Sequence, residues 1–498
     1  MENARSLILI TVDCLRADHV GFMGYERPTT PFLDSLAEES FVFPTAIVGG
    51  APTYYSFPAI LAARHPLALG RDVIGLAPGE PTLARVLQQS GYATAAFGAA
   101  NPYVSDAFGY DQGFDTFRDF LDVELTTNPD ISTNGNGRPG LRSTVNRSLE
   151  SLFRRLGPLG AVYDELYFQY CQRLATPRNG SLATLRRFPA ADAVVNQAGD
   201  WLASVGQRPF FLWLHLMDPH APYYPKEEAL SLLGHEEVTP FRARYLNSYW
   251  NRSDLSPNRL RRHRDHIIAL YDAGIRWVDK QVAKLVETVR RFQLWNNCMF
   301  AFTADHGEEF LDHGGRFHPP SRATEEIIHV PLLVRVPGFS KIQLPGTPFS
   351  HLHLTPTLLD AMNIECPAEF QGHSHWPQLQ QGSGWDEPAI VESITSCTNP
   401  LRSETRLGPR VLVVRDARYK LVLCFDPPHE QLFDLEADPV EQKPLPRDAE
   451  KALRGRLLGY ARRHLQSSWQ ERNLKQQVSL RLRDLRLEWA NQHINSSH

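Results

Sequence analysis

Three apolar segments of this chain end abruptly in side chains that can bind a metal ion. They are Leu7–Val12 followed by Asp13, Phe210–Leu214 followed by His215, and Met299–Ala304 followed by Asp305 and His306. Each segment has the length of a strand and little polar alternation, which is typical of parallel strands buried on both faces. Because the carboxyl ends of such strands meet at one edge of a sheet, we expect these polar residues to lie close together.

Helical patterns separate the apolar segments. They cover Thr30–Glu39, Tyr54–Ala63, Pro81–Gln89, Ala190–Val205 and Ala269–Phe292. Alternating strands and helices are typical of a doubly wound sheet. We therefore predict an α/β fold built on a doubly wound, mostly parallel sheet.

The pattern changes after Pro337. Short apolar segments at Pro388–Val391, Arg410–Arg415 and Tyr419–Cys424 predict a small antiparallel sheet. Beyond it, Asp448–Gln492 combines Arg, Leu and Gln at helical spacing. This predicts a helical C-terminal tail, through which a homodimer is plausible.

These changes of pattern predict the domain organisation. A catalytic α/β domain is expected at 1–375, a small C-terminal α+β subdomain at 376–447 and the helical tail at 448–498. Within the first, about 120–187 has a mixed composition, and we interpret it as an insertion that forms a lid.

Composition limits the binding partners and the cellular compartment that we expect for this protein. With 52 Lys and Arg against 56 Asp and Glu, the formal net charge is −4, which gives no support to nucleic-acid binding. No apolar stretch approaches the ~18–20 residues of a membrane span, and Leu7–Val12 is too short for a signal peptide. The six cysteines are scattered without paired spacing. We therefore expect a cytoplasmic protein with no membrane span and no nucleic-acid partner.

Polar residues at strand ends and helix starts form a candidate site. The set contains Asp13, Thr53, Ser56, His215, Asp218, His220, Asp305, His306 and His318. Carboxylate oxygens and imidazole nitrogens together suit Mn²⁺, Zn²⁺, Mg²⁺ or Ca²⁺ rather than copper or an iron–sulfur cluster. Structural roles are the alternative: Thr53 as a helix N-cap, Asp218 as the start of a turn, and His215 as a core residue.

Four segments resemble the sulfatase branch of the alkaline-phosphatase superfamily. They are Leu9–Pro31, Pro209–Pro225, Thr303–Gly314 and Val330–Gly338. The resemblance covers about Leu7–Gln371, and Tyr419–Pro439 resembles the small C-terminal sheet domain of sulfatases. It implies a doubly wound α/β fold, one or two divalent metal ions, and hydrolysis or transfer of a sulfate or phosphate ester. The expected substrate is an anionic ester of a small molecule or glycan.

The nucleophile segment departs from the sulfatase pattern. Sulfatases carry Cys or Ser in a Cys/Ser-x-Pro-x-Arg motif and oxidise it to formylglycine, whereas Thr53 stands at that position and cannot become formylglycine. A shifted register places Ser56 two residues before Pro58, but then Ile60 replaces the recognition Arg. The usual Gly-Lys-Trp-His segment is replaced by Gly98–Asn101.

Another departure follows the first acidic residue, where Cys14 replaces the second acidic metal ligand of the family. These differences favour the chemistry of phosphodiesterase and phosphoethanolamine-transferase relatives, in which a metal-bound Thr alcohol attacks phosphorus. Thr53 is then the predicted nucleophile and Ser56 its alternative.

The resemblance also implies roles for the remaining polar residues. The implied metal ligands are Asp13, Thr53, Asp305 and His306, with Asp218 and His318 at a second ion. His220 is the expected general acid, and His318 is a further catalytic candidate. Asn101 and His215 are expected to bind the transferred group.

Two other functions stay open. A transferase would pass the group from Thr53 to an acceptor alcohol other than water. A pseudoenzyme or binding protein would keep the fold without turnover, which the missing Arg, Lys and second Asp favour. The retained Asp13, Asp305, His306, His220 and His318 favour an enzyme.

Overall fold

The computed structural model describes residues 5–71, 73–121, 181–339 and 342–467. Its strands are β1 (Ser6–Val12), β2 (Phe41–Val42), β3 (Ala46–Ile47), β4 (Ala93–Gly98), β5 (Thr116–Arg118), β6 (Phe210–Leu216), β7 (Cys298–Ala304), β8 (Glu309–Phe310), β9 (Arg316–Phe317), β10 (His329–Val330), β11 (Leu332–Arg335), β12 (Ile342–Gln343), β13 (Phe349–Ser350), β14 (Ala389–Ile394), β15 (Arg410–Arg415), β16 (Tyr419–Phe425) and β17 (Pro428–Asp434). Its α-helices are α1 (Pro31–Ala37), α2 (Thr53–Ala62), α3 (Leu83–Gln89), α4 (Ala191–Val205), α5 (Glu227–Leu232), α6 (Pro240–Trp250), α7 (Pro257–Leu260), α8 (Arg264–Arg291), α9 (Glu325–Ile328), α10 (Leu354–Ala361), α11 (Trp376–Gln381) and α12 (451–467).

Eight strands form the large sheet, in the order β12-β2-β11-β7-β1-β6-β4-β5. The five strands from β7 to β5 in this order are mutually parallel, whereas β11 runs antiparallel to both β7 and β2. The predicted α/β fold with a mostly parallel sheet is confirmed. All seven residues of β1 are buried, as its continuous apolar sequence requires.

The register of the sheet brings the strand ends level. Val12 pairs with Leu216 of β6 on one side and with Ala304 of β7 on the other. Asp13 and Asp305 therefore leave neighbouring strands side by side. His215 differs from the prediction, because β6 continues to Leu216 and places this histidine inside the strand, opposite Thr11.

A second, four-stranded antiparallel sheet has the order β14-β15-β16-β17, as expected for the C-terminal part. Alternate side chains of β15 pack into two different hydrophobic cores, because successive residues of a strand point to opposite faces of the sheet. Val411 and Val413 join the large core, while Leu412 and Val414 pack in a smaller core with Leu457 of α12.

The homodimer expected through the tail gains no support. Leu457 and Ala461 of α12 are buried against the chain's own C-terminal sheet, so this face is not available to a second copy. Most of the predicted lid and the tail beyond residue 467 lie outside the described residues. Among the helices that the structure describes, we find none with the length and apolar character needed to cross a membrane.

Gly307 permits a close backbone approach beside the strand ends. A Cβ atom at this position would lie 1.9 Å from the carbonyl oxygen of Glu326, and the Gly307 amide donates to the carbonyl of Ile327 at 2.9 Å. We expect Gly307→Ala to lower the free energy of unfolding by about 1–3 kcal/mol, because the backbone must shift. Urea denaturation of the purified variant measures this.

The control for this prediction is Gly455→Ala in α12, where an added Cβ meets no atom within 4 Å. Alanine has a higher helix propensity than glycine, so this variant should be as stable as the parent or up to about 1 kcal/mol more stable. Equal stability of the two variants would contradict the proposed close contact at Gly307.

Candidate active site

Two buried carboxylates lie at the centre of the site. The backbone amide of Asp13 donates to Leu216 at 2.8 Å, and that of Asp305 donates to Val12 at 3.3 Å, which continues the parallel ladder beyond the strands. Both side chains are fully buried. His306 Nε2 lies 3.7 Å from Asp13 Oδ1 and 3.6 Å from Asp305 Oδ2.

These three residues fit a divalent cation. Each offers one ligand atom within 4.8 Å of the others. Asp305 Oδ2 is buried and has no hydrogen-bond partner among the described residues, and a buried carboxylate oxygen without a partner is unfavourable. His306 Nδ1 lies 2.8 Å from the carbonyl of Gly307; donation of Nδ1–H to it leaves the Nε2 lone pair free for a metal.

The electrostatics of the site also favour a bound cation. Burial and the negative charge of Asp13 raise the pKa of Asp305. Burial alone would raise the pKa of Asp13 too, but His220, His215 and His306 hold it well below its usual value. A cation between the two carboxylates relieves their repulsion.

Thr53 is the first residue of α2, and its hydroxyl faces the carboxylates. Its Oγ1 lies 3.1 Å from His306 Nε2. The N-cap of the helix is Pro52 rather than Thr53, so the alternative of a plain N-cap for Thr53 is wrong. The backbone N–H groups of this first turn also favour an anion nearby.

Ser56 lies one turn further into the same helix. Its fully buried hydroxyl donates to the backbone carbonyl of Asp305. The side chain thus ties α2 to the end of β7. Ser56 does not line the cavity beside Thr53.

A cavity of about 560 Å³ opens in front of Thr53. Its polar lining includes five side chains, those of Thr53, Asn101, His220, Arg316 and His318. Aromatic and apolar groups complete the wall, among them Tyr54, Tyr103, Met217 and Phe317. The volume is within the usual range for small-molecule sites.

His220 and His318 lie together at the cavity, with ring centroids 5.3 Å apart. His318 Nδ1 is 3.0 Å from Glu308 Oε2. Burial alone would lower the pKa of His318, but the carboxylate of Glu308, with Asp13 and Asp305, raises it. His220 Nδ1 lies against the carbonyl of Ala221. Both rings are therefore held by oxygen atoms that can accept a hydrogen bond from Nδ1–H.

Asn101 and His215 both approach Asp13 Oδ2, and Asn101 Nδ2 lies 3.5 Å from His215 Nε2. Asn101 Nδ2 donates to this oxygen at 2.8 Å and also borders the cavity. His215 Nε2 lies 3.6 Å from the same oxygen, and its Nδ1 is 3.1 Å from Thr11 Oγ1. His215 is buried behind Asp13 and does not line the cavity, so its contacts are those of a residue that orients Asp13.

Asp218 is not brought to the other predicted metal ligands. Its Oδ1 accepts from Arg186 Nη2 at 2.8 Å, and its Oδ2 accepts from the backbone amide of Ala191 at 2.9 Å. Both oxygens are therefore engaged at the start of α4. The structure assigns Asp218 a buried ion pair and a helix contact instead of a place beside Asp13.

Sequence reasoning missed two residues of the site. Glu308 is fully buried; its Oε1 accepts from the Tyr223 hydroxyl at 3.1 Å, and its Oε2 meets His318. Arg316 lines the cavity, and its Nη1 is buried without a hydrogen-bond partner among the described residues. Their signals were an acidic residue two positions after His306 and a basic residue two positions before His318.

Comparison with known families gives two matches. The Sulfatase family matches residues 5–364, and the family described as N-sulphoglucosamine sulphohydrolase, C-terminal, matches residues 321–457. The choline-sulfatase of Rhizobium meliloti (strain 1021) is 27% identical over 386 residues, which are 72% of this chain. The match spans 66% of that relative's own length, just under two thirds.

Solved structures share the fold. The phosphonate monoester hydrolase of Agrobacterium radiobacter superposes with a TM-score of 0.60 at 19% identity, over 94% of this chain and 96% of that chain. A structure in complex with its substrate D-glucosamine-2-N,6-O-disulfate gives a TM-score of 0.62 at 16% identity, over 94% and 98%. The first family match covers well over half of the sequence, including every residue described at the site. This chain therefore belongs to the sulfatase family.

Proposed function

We propose that this protein is a metal-dependent hydrolase of sulfate or phosphate esters in which the Thr53 hydroxyl is the nucleophile. Membership of the sulfatase family supports the ester-hydrolase class. The observation that carries the choice of nucleophile is the position of Thr53 Oγ1, 3.1 Å from His306 Nε2 and at the wall of the cavity.

Asp13, Asp305 and His306 are the residues that would hold the divalent ion. When bound, such an ion supplies positive charge that lowers the pKa of a nearby hydroxyl and stabilises the charge of the ester. The Oγ1 atom of Thr53, at the start of α2, lies 3.1 Å from Nε2 of one of these ligands, His306. We do not include Asp218 in the set, because its oxygens are already engaged.

The proton needed by the leaving oxygen comes from the histidine pair. His220 and His318 border the cavity, whose described lining contains no acidic residue, and the buried carboxylate of Glu308 contacts His318 Nδ1 from outside this lining. Glu308 keeps a proton available on His318 by favouring its charged form. We propose His220 as the general acid and His318 as its partner, which binds the anionic group and shares the proton.

The anionic part of the substrate meets two further donors. Asn101 Nδ2 donates to Asp13 and Asn101 borders the cavity, while Arg316 Nη1 has no hydrogen-bond partner within the described part of the chain. The aromatic wall with Tyr54 and Tyr103 suits the remainder of a small molecule or a sugar ring. We therefore propose an anionic ester of a small molecule or glycan as the substrate.

Metal removal tests this proposal. We expect exhaustive chelation to abolish hydrolysis of p-nitrophenyl sulfate, p-nitrophenyl phosphate or bis(p-nitrophenyl) phosphate, whichever the protein accepts. Adding back Mn²⁺, Zn²⁺, Ca²⁺ and Mg²⁺ separately should restore activity with at least one ion, because the buried carboxylates need a cation between them. Release of p-nitrophenol measures the rate, and full activity of the chelated protein would contradict the proposal.

A further inference from the structure

Three histidines and a glutamate converge at a second place in the fold, away from the candidate active site. His353 closes a 3-10 turn before α10, His373 and His375 precede α11, and Glu387 precedes β14. The Nε2 atoms of all three histidines lie 3.1 Å from Glu387 Oε1. Their ring centroids are 4.4 to 4.8 Å apart. We call these four residues the His₃Glu cluster.

Hydrogen bonding alone does not account for this arrangement. A carboxylate oxygen has two lone pairs, so Glu387 Oε1 can accept from two Nε2–H groups but not well from three. Full protonation of the rings is also unfavourable. Three imidazolium rings with centroids 4.4 to 4.8 Å apart would repel one another, and only one carboxylate lies among them. Neutral imidazoles with converging nitrogen atoms are what a metal ion requires of its ligands.

We propose that the His₃Glu cluster binds one Zn²⁺ ion as a structural site. Three imidazole nitrogens and one carboxylate oxygen form a four-ligand set of the kind that zinc takes in tetrahedral geometry. Mg²⁺ and Ca²⁺ prefer six or more oxygen ligands, which this set does not offer. Because four protein side chains complete the set and leave no open position, the role is structural rather than catalytic.

The surroundings of the cluster support ligation. His353 Nδ1 lies 3.2 Å from the carbonyl oxygen and 3.1 Å from the amide nitrogen of His373. The backbone can therefore satisfy either tautomer, and donation to the carbonyl leaves Nε2 for the metal. His375 stacks on Trp385 at 4.4 Å, and Phe349 packs edge-on against His353 and His375. His373 is 56% exposed at its side chain, which gives an ion a way in.

A nearby group of similar composition shows what distinguishes the cluster. His65, Glu392 and His464 also offer three ligand atoms within 4.8 Å. There, Arg410 Nη1 lies 3.3 Å from Glu392 Oε1 and already supplies a positive charge. Among the described residues, the ion pairs of Glu387 join it to the three histidines alone. A bound ion would link the start of α10 to the start of β14, where the chain passes to the second sheet.

The test uses the full chain, purified, stripped with a chelator and reloaded with Zn²⁺. Metal content by inductively coupled plasma mass spectrometry should fall by one zinc per chain in His373→Ala and in Glu387→Gln. The zinc affinity of this site should weaken by more than the ~10–100-fold that loss of an outer partner costs. His429→Ala, an exposed histidine of the C-terminal sheet, should bind as much zinc as the parent.

Two measurements distinguish the loss of zinc at the His₃Glu cluster from the loss of metal at the active site and from misfolding of the variants. In an Asp13→Asn background, Co²⁺ should still give the visible absorption of a tetrahedral nitrogen and oxygen site, and His373→Ala should remove it. Circular dichroism should show that His373→Ala folds, since this ring is half exposed. Unchanged zinc content in folded His373→Ala and Glu387→Gln would overturn the proposal, as would a Co²⁺ spectrum that Asp13→Asn alone removes.

Discussion

Thr53→Ala is expected to lower kcat by at least ~10³-fold on whichever ester the protein hydrolyses, because loss of a nucleophile removes the bond-forming atom. Thr53→Ser keeps a hydroxyl at the same place and should retain activity within about tenfold. Steady-state kinetics with the accepted p-nitrophenyl ester measure both. The protein fold should be unaffected, since Thr53 contributes no N-cap hydrogen bond to α2.

Ser56→Ala is the matched control within the same helix. Its hydroxyl donates to the backbone of Asp305 and does not border the cavity, so we expect a loss of no more than about tenfold. A larger loss in Ser56→Ala than in Thr53→Ala would mean that the shifted register is the correct one. Intact-protein mass spectrometry adds an independent check, because formylglycine at Ser56 would change the mass and contradict the Thr53 assignment.

Asp305→Asn is expected to lose the active-site metal and nearly all activity, while the metal-free protein becomes no less stable. In the metal-free parent the pKa of Asp305 is raised by burial and by Asp13. A raised carboxyl pKa means that stability is full below the unfolded-state pKa and falls as pH rises through the folded-state pKa. Asparagine lacks this titration, so the metal-free variant should lose less stability between acidic and neutral pH.

Asp218→Asn tests whether Asp218 is a metal ligand or a partner in a buried ion pair. It leaves Arg186 without its ion-pair partner, and breaking a buried pair typically costs about 3–5 kcal/mol. We therefore expect lower stability but unchanged metal content at the active site. Metal analysis of the two variants after metal loading, and thermal melts of their metal-free forms at several pH values, give the comparison. Metal loss in Asp218→Asn, with retention in Asp305→Asn, would contradict our choice of ligands.

The strand ends were predictable because they depend on local sequence. The apolar segment before Asp13 and the one before Asp305 are long enough to specify buried parallel strands, and their register follows from the sheet. The end of β6 was placed too early. His215 continues the strand because Thr11 on the neighbouring strand supplies a polar partner, which no local pattern shows.

The roles of other side chains depend on tertiary partners. Asp218 follows a strand as the predicted ligands do, but Arg186, 32 residues earlier in the chain, engages it. The side chain of Glu308 is positioned at the site by its contacts with Tyr223 and His318. Helix α6 was missed because its polar and aromatic residues give no clear apolar stripe, although tertiary contacts bury much of it. In each case the deciding contact is distant in sequence.

The backbone ladder, which carries Asp13 and Asp305, has an implication for how relatives of this protein diversify. The separation of the two carboxylates is set by the spacing of adjacent strands, about 4.8 Å, and by amide bonds to Leu216 and Val12. The cavity wall instead includes side chains from segments outside the large sheet to which we assign no catalytic role, such as Tyr54, Tyr103 and Phe317. Mutations there can change which ester fits while the cation pocket stays intact, so substrate preference and metal chemistry can evolve independently.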